Sequence, residues 1–326
     1  VDTVAPNPPT VSASPQSPTT QKTASFTISG EARASFSCSL DGGPALVCSS
    51  PHSVSGLDDG PHSLVLFQSD RVGNRSNGTT REWTVDTVPP ARPMIDSGPR
   101  PLTNESSASI TFTGEAGTSA RCRLNRDGTP GTWSGCSSPL NFTSLADGSY
   151  RLEIVLMDPA GQESAAAEWS WTVDTVEPAP PRIESGPGGS PLASVEISFS
   201  GEPENVFECR LESPRGIGEW ESCSSPFTDP SAQEGSYVLL VRQIGPAGNV
   251  SAPASVAWET DTTPPEAPVI EGGPSGPVNT SQAEFLILGE AGALAECLLE
   301  TGVQGGQWTD CPADGSWSDL EDGPKT

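Results

Sequence analysis

Four kinds of side chain recur here at spacings that could carry chemistry. Eight cysteines fall into four pairs: Cys38 and Cys48 lie 10 positions apart, and Cys122 and Cys136, Cys209 and Cys223, and Cys297 and Cys311 each lie 14 apart. An even count without Cys-x-x-Cys points to four disulfides, and the two histidines, His52 and His62, sit by the first pair alone, which argues against zinc. Closing so short a loop contributes about 3 kcal/mol on the chain-entropy model. Six of nine asparagines open Asn-x-Ser/Thr: Asn74, Asn77, Asn104, Asn141, Asn249 and Asn279. That excess reads as N-glycosylation and a eukaryotic secretory route, with Asn74 and Asn249 sharing one slot of a repeat. Aspartates stand at recurring turns, Asp70 and Asp158 in one loop and Asp86, Asp174 and Asp261 at another. Their side chains shape turns by bonding nearby backbone. Trp133, Trp220 and Trp308 each precede the second cysteine of a pair by three positions. Two readings stand for them: packing over the hairpin and its disulfide, or stacking on a sugar or partner. No phosphate loop, His-Glu-x-x-His or nucleophile elbow is present, so no enzyme activity is expected.

These residues ride on a repeat. The motif Val-Asp-Thr-Val at Val1, Val85 and Val173 returns as Thr-Asp-Thr-Thr at Thr260. A Gly-Glu pair follows at Gly30, Gly114, Gly201 and Gly289, and the first cysteine of each pair comes 8 positions after that glycine. The spacing sets residues 1–4 as the end of a preceding domain, 5–88, 89–176 and 177–263 as three domains, and 264–326 as an incomplete fourth. Within each copy the apolar residues alternate, as Val195, Ile197 and Phe199 do, and no sustained period of 3.6 occurs. Period two places one face in a core and the other in water. Short strands between Gly and Pro turns predict an all-β chain of tandem immunoglobulin-like antiparallel sandwiches, each with a local hairpin disulfide. Trp83, Trp171 and Trp258 fall in closing strands and are expected in the core.

Charge narrows the partners. There are 42 acidic against 16 basic side chains, a formal −26, with Lys22 and Lys325 the only lysines. Such a surface repels phosphate backbones, so nucleic acid is not expected. No apolar run reaches the roughly 20 residues of a membrane helix. Proline-rich seams (Pro8-Pro9, Pro89-Pro90, Pro178 to Pro181, Pro264-Pro265) read as semi-rigid spacers between domains.

The runs Cys-Ser-Leu-Asp-Gly-Gly at Cys38, Cys-Ser-Ser-Pro at Cys48, Leu-x-Asp-Gly at Leu57 and Leu145, and Trp-Thr-Val-Asp-Thr resemble bacterial-type immunoglobulin-like repeats of large surface proteins. With the sequons and the Pro-rich, Arg-over-Lys composition, the chain is also similar to the glycoproteins of green-algal flagellar mastigonemes. The resemblance implies an extracellular site, on a cell surface or an appendage. It implies a structural filament subunit that contacts copies of itself or other subunits, glycan-coated, with an adhesin or receptor ectodomain as the alternative. It also implies that Asp70, Asp86, Asp158 and Asp174 could hold calcium at the domain joints. Asp158 is then expected beside Asp174, whereas Gly245 and Pro246 replace its counterpart near Asp261. Beyond calcium, no cofactor is expected.

Overall fold

The computed structural model describes residues 1–187, 195–229, 233–300, 306–313, 315–320 and 323. It divides into two compact units, one of residues 1–179 with 202–206 and 243–252, the other of 180–201, 207–242 and 253–326. No helix occurs among the described residues, and so none is long and apolar enough to cross a membrane.

The first copy contains β1 (Thr10–Ala13), β2 (Thr23–Ser29), β3 (Ser35–Leu40), β4 (Leu46–Cys48), β5 (His52–Ser55), β6 (Gly60–Ser69) and β7 (Thr79–Val85). Strict alternation builds it: in β2 Ala24, Phe26 and Ile28 are buried and the residues between them exposed. These side chains face Leu64 and Leu66 of β6 and Trp83 and Val85 of β7, which close the core. Phe26, Leu64 and Leu66 are fully buried, each contributing about 1.5–3 kcal/mol. One antiparallel sheet has the order β1-β2-β5 and the other β4-β3-β6-β7. A three-stranded sheet facing a four-stranded one is an immunoglobulin-like sandwich.

The second copy repeats this with β8 (Met94–Ser97), β9 (Leu102–Thr103), β10 (Ala108–Thr113), β11 (Ser119–Arg126), β12 (Ser134–Cys136), β13 (Leu140–Phe142), β14 (Gly148–Met157) and β15 (Ala167–Val173). Its sheets run β13-β10-β8 and β12-β11-β14-β15-β9. The third copy has β16 (Arg182–Ser185), β17 (Val195–Ser200), β18 (Val206–Ser213), β19 (Gly216–Ile217), β20 (Glu221–Cys223), β21 (Phe227–Asp229), β22 (Gly235–Ile244) and β23 (Ala254–Thr260). Its sheets are β16-β17-β21 and β19-β18-β22-β23, with β20 also on β18. Trp171 and Trp258 are buried in their cores as Trp83 is in the first. Beyond them lie short antiparallel pairs, Val269–Glu271 with Leu286–Leu288, Ala283–Glu284 with Ser316–Trp317, and Glu296–Cys297 with Thr309–Asp310.

The disulfides join Cys38 to Cys48, Cys122 to Cys136, Cys209 to Cys223 and Cys297 to Cys311, with Cα–Cα distances of 5.9, 5.9, 5.7 and 4.9 Å. Each ties neighbouring strands: Cys38 lies opposite Leu46 and Cys48 opposite Phe36, so the bond runs diagonally across β3 and β4. The Ser-Pro that follows has its own task. Ser50, Ser138 and Ser225 accept the backbone N–H of Ile28, Phe112 and Phe199 at 2.9, 3.0 and 2.9 Å. The loop after the disulfide is thereby pinned to the opposite sheet.

Candidate functional site

The motifs that recur meet at the joints between copies. After each closing strand the seam aspartate folds back on itself. Oδ1 of Asp2, Asp86, Asp174 and Asp261 accepts the N–H two residues on, from Val4, Val88, Val176 and Thr263, at 3.0–3.2 Å. The threonine after it bonds the Leu-x-Asp-Gly turn of the same copy. Thr87 donates its N–H to Asp59 at 3.1 Å, and Thr175 donates its own to Asp147 at 2.9 Å. The glutamate of each Gly-Glu pair then receives the seam. Glu31, Glu115, Glu202 and Glu290 accept the backbone N–H of Asn7, Ala91, Ala179 and Glu266, at 2.8–3.1 Å. That carboxylate fastens the linker to the sandwich it enters. A buried glutamine adds to this in two copies. Gln68 Nε2 donates to the Asn7 carbonyl while its Oε1 accepts the Glu31 N–H at 2.9 Å. Gln243 likewise donates to Ala179 and accepts from Glu202. The second copy has Leu156 in that slot. A side chain on Gly30 would overlap Gln68, and one on Gly114 would overlap Leu156, which explains the glycine of Gly-Glu.

An amide side chain makes a further bond across the first three seams. Asn74 Nδ2 donates to the Asp2 carbonyl at 3.1 Å, Gln162 Nε2 to Asp86 at 3.1 Å, and Asn249 Nδ2 to Asp174 at 2.7 Å. Two residues on, Ser76, Ser164 and Ser251 are buried and accept the N–H of Gln68, Leu156 and Gln243 at 2.9–3.0 Å. Asn74-Arg75-Ser76 and Asn249-Val250-Ser251 are therefore parts of a joint, and the middle copy keeps the amide as Gln162 without forming a sequon. The shared slot of Asn74 and Asn249 thus has a structural use besides glycosylation. Asn249 is 8% exposed with its Nδ2 engaged, and Asn74 is half-buried. Asn104 is half-buried, and Asn77, Asn141 and Asn279 are exposed. In protein secreted by a eukaryotic host, glycopeptide mass spectrometry is expected to find Asn77, Asn141 or Asn279 occupied and Asn249 bare. A glycan on Asn249 of the folded protein would refute the joint assignment.

The calcium geometry also needs correction. β14 and β15 are antiparallel, with Gly148 opposite Val173. Asp158 lies 10 residues beyond Gly148, so it stands about 30 Å along the strand from Asp174. Asp158 faces the preceding seam instead: Gln162, which donates to Asp86, also donates to Asp158 Oδ2 at 3.2 Å. Asp70 is occupied in the same way, accepting Val72 and Asn74 N–H at 2.9 Å and Asn74 Nδ2 at 2.8 Å. Partial burial pushes the Asp70 carboxyl up, but the Asn74, Val72 and Gly73 bonds outweigh it and hold it below its ordinary value. Among the described residues the only metal-type cluster is Cys38, Cys48 and His52, whose sulfurs are joined in a disulfide. Asp70, Asp86, Asp158 and Asp174 do not converge as ligands; the turn reading accounts for their bonds.

The tryptophans before the second cysteine lie on arginines of the outer sheet face. Arg123 and Arg121 sit 4.8 and 5.9 Å from the Trp133 ring, and Arg242 and Arg210 sit 4.1 and 5.1 Å from Trp220. Both rings are half-buried, while Trp308 is 64% exposed. Sequence reasoning missed these arginines, although Arg123 and Arg210 each directly follow the first cysteine of a pair.

A further position distinguishes the first copy. Tyr150 and Tyr237 donate their hydroxyls to the Ala146 and Gln233 carbonyls, four residues back, at 2.7 and 3.0 Å. His62 occupies that slot, with Nε2 2.8 Å from the Asp58 carbonyl and Nδ1 2.8 Å from Asp41 Oδ2. With an acceptor on each nitrogen, only the imidazolium satisfies both. The Asp58 carbonyl and then Asp41 raise the His62 pKa above its ordinary value, against burial. A pKa raised in the folded state stabilises fully below the unfolded value of about 6.5, and the gain is lost as pH rises through the folded value. The melting temperature of the first sandwich is therefore expected to fall as pH rises from about 6.5 through the raised folded value. His62→Tyr, the residue of the other two copies, is expected to flatten the profile. An unchanged slope in that variant would remove His62 as its source.

No family model matches the chain, and no curated protein matches it. Among solved structures it is similar to the crystal structure of chicken CNTN1 FN1-FN3 domains, at 8% identity and a TM-score of 0.35, covering 78% of this chain and 98% of that one. So distant a likeness bears on neither function nor partners. The sheets, cores and disulfides themselves define the class: the chain is a tandem array of immunoglobulin-like β-sandwich repeats.

Proposed function

We propose that this chain is a spacer segment of an extracellular structural protein, its copies stacked in a filament or surface appendage of the mastigoneme kind. The supporting observation is the joint. The seam at Asp86 is bonded both to the copy it leaves, through Thr87 and Asp59, and to the copy it enters, through Ala91 with Glu115 and through Gln162. A linker held on both sides resists bending, which a spacer requires and a flexible tether does not. The disulfides fit an oxidising compartment, and the exposed sequons fit a glycan coat. Electron microscopy of the native material tests this reading. Polymers with an axial repeat are expected; isolated stalks bearing a terminal ligand-binding head would favour an adhesin. The adhesin reading draws support from one copy-specific feature, the outer face of the second sandwich.

A further inference from the structure

The outer face of the β11-β14-β15 sheet carries a charged network centred on Glu153; the corresponding strands of the third copy carry a different set, Arg242 with Glu208 and Arg210 with Glu212. Glu153 is buried, and Arg123 of β11 donates to its Oε2. Arg151 Nη2 lies 3.1 Å from Glu153 Oε1 and also bonds Glu168 of β15. Asn125, itself buried, lines the same hollow as Glu153 and accepts the Gly131 N–H at 3.0 Å. Above this array lies an open hollow of about 520 Å³, lined by Arg123, Asn125, Arg151, Glu153, Ser170 and Thr172, among others. That volume falls within the roughly 300–1,000 Å³ of small-ligand sites.

The other copies supply a control. Five residues after the glycine that opens the long strand, they carry Val65 and Leu240 where the second has Glu153. Three residues after it they carry Ser63 and Val238 where the second has Arg151. The sandwich therefore folds without these charges. Burying an ion network seldom stabilises more than apolar residues of similar volume would, so stability alone does not explain it. The network does fix planar groups in place. Among the described residues the remaining N–H groups of Arg123 and Arg151 have no hydrogen-bond partner, and the hydroxyls of Ser170 and Thr172 stand beside them. Two arginines are matched by two glutamates, so the hollow has no net charge to draw an anion. Pro101 and Pro130 add apolar surface to its lining, and the Trp133 ring lies 4.8 Å from Arg123.

Fixed planar donors, hydroxyls, apolar edges and local neutrality fit a ligand rich in hydroxyls and without charge. We infer that the outer face of the second sandwich binds a neutral sugar unit of a glycan through Arg123, Arg151, Ser170 and Thr172, with Glu153 and Asn125 as positioning residues. The inference rests on the second copy alone and holds whether or not the chain polymerises.

The test is calorimetric titration of the full chain, made without glycans in a bacterial host with its disulfides formed. The probes are neutral oligomannose and galactose-terminated oligosaccharides and, as the anionic arm, oligogalacturonate. Saturable binding of a neutral probe is expected, with Kd on the order of 1 mM. Glu153→Leu with Arg151→Val, the residues of the third copy, is expected to weaken it at least about tenfold. Ser170→Trp fills the hollow without touching the ion network and is expected to do the same with melting unchanged. No saturable binding by the unaltered chain, preference for oligogalacturonate, or full binding by the Ser170→Trp variant would each overturn the inference.

Discussion

Removing the Cys122–Cys136 bond, by Cys122→Ala with Cys136→Ala, is expected to destabilise the second sandwich by about 3 kcal/mol. The bond closes a 14-residue separation, and its loss frees that loop in the unfolded chain. It also loosens the edge strand β12, which among the described residues pairs with β11 alone. On a domain of this size the change corresponds to a fall in melting temperature of about 15 °C. Differential scanning calorimetry of the oxidised chain against the variant measures it. A shift of only one or two degrees would mean that the core of Ile110, Leu152 and Ile154 sustains the fold unaided.

The second large effect belongs to the joint at Asn7. Gln68→Leu should cost about 2 kcal/mol, although leucine is what the second copy has there. In the first copy the Gln68 amide satisfies the Asn7 carbonyl and the Glu31 N–H together, and leucine would leave both unpaired in a buried setting. Hydrogen exchange is expected to quicken at Glu31 and its neighbours while β3 and β7 stay protected. Unchanged exchange at Glu31 would show that water replaces the amide without loss.

The fold was legible because its signals are local. Alternation in Thr23–Ser29 and Val195–Ser200 names the core face directly, and the cysteine pairs recur at fixed distances from Gly-Glu. The joint was harder because its partners are distant in sequence. Asp158 precedes Asp174 by 16 positions, yet the length and direction of β14 send it to the other end of the sandwich. A strand converts sequence proximity into spatial separation, and only strand boundaries reveal it. The sequons carry a second meaning: at Asn74 and Asn249, Asn-x-Ser is also a seam clasp, and the clue was Gln162 in the equivalent slot. The network around Glu153 spans three strands, and no single stretch of sequence contains it.

The joint has a consequence for how such a chain can change length. Each of the first three copies brings to its leading end a carboxylate and an amide that receive a seam, and at its trailing end offers an Asp-Thr peptide that the next copy receives. The first three copies carry both halves in the same places. A duplication or deletion of one whole copy thus leaves matched ends on either side, whatever the phase of the cut within the repeat. Loss of part of a copy leaves a glutamate or an amide with nothing to hold. Length can drift by whole copies while the junction chemistry stays fixed, so related chains should differ in copy number sooner than in seam residues.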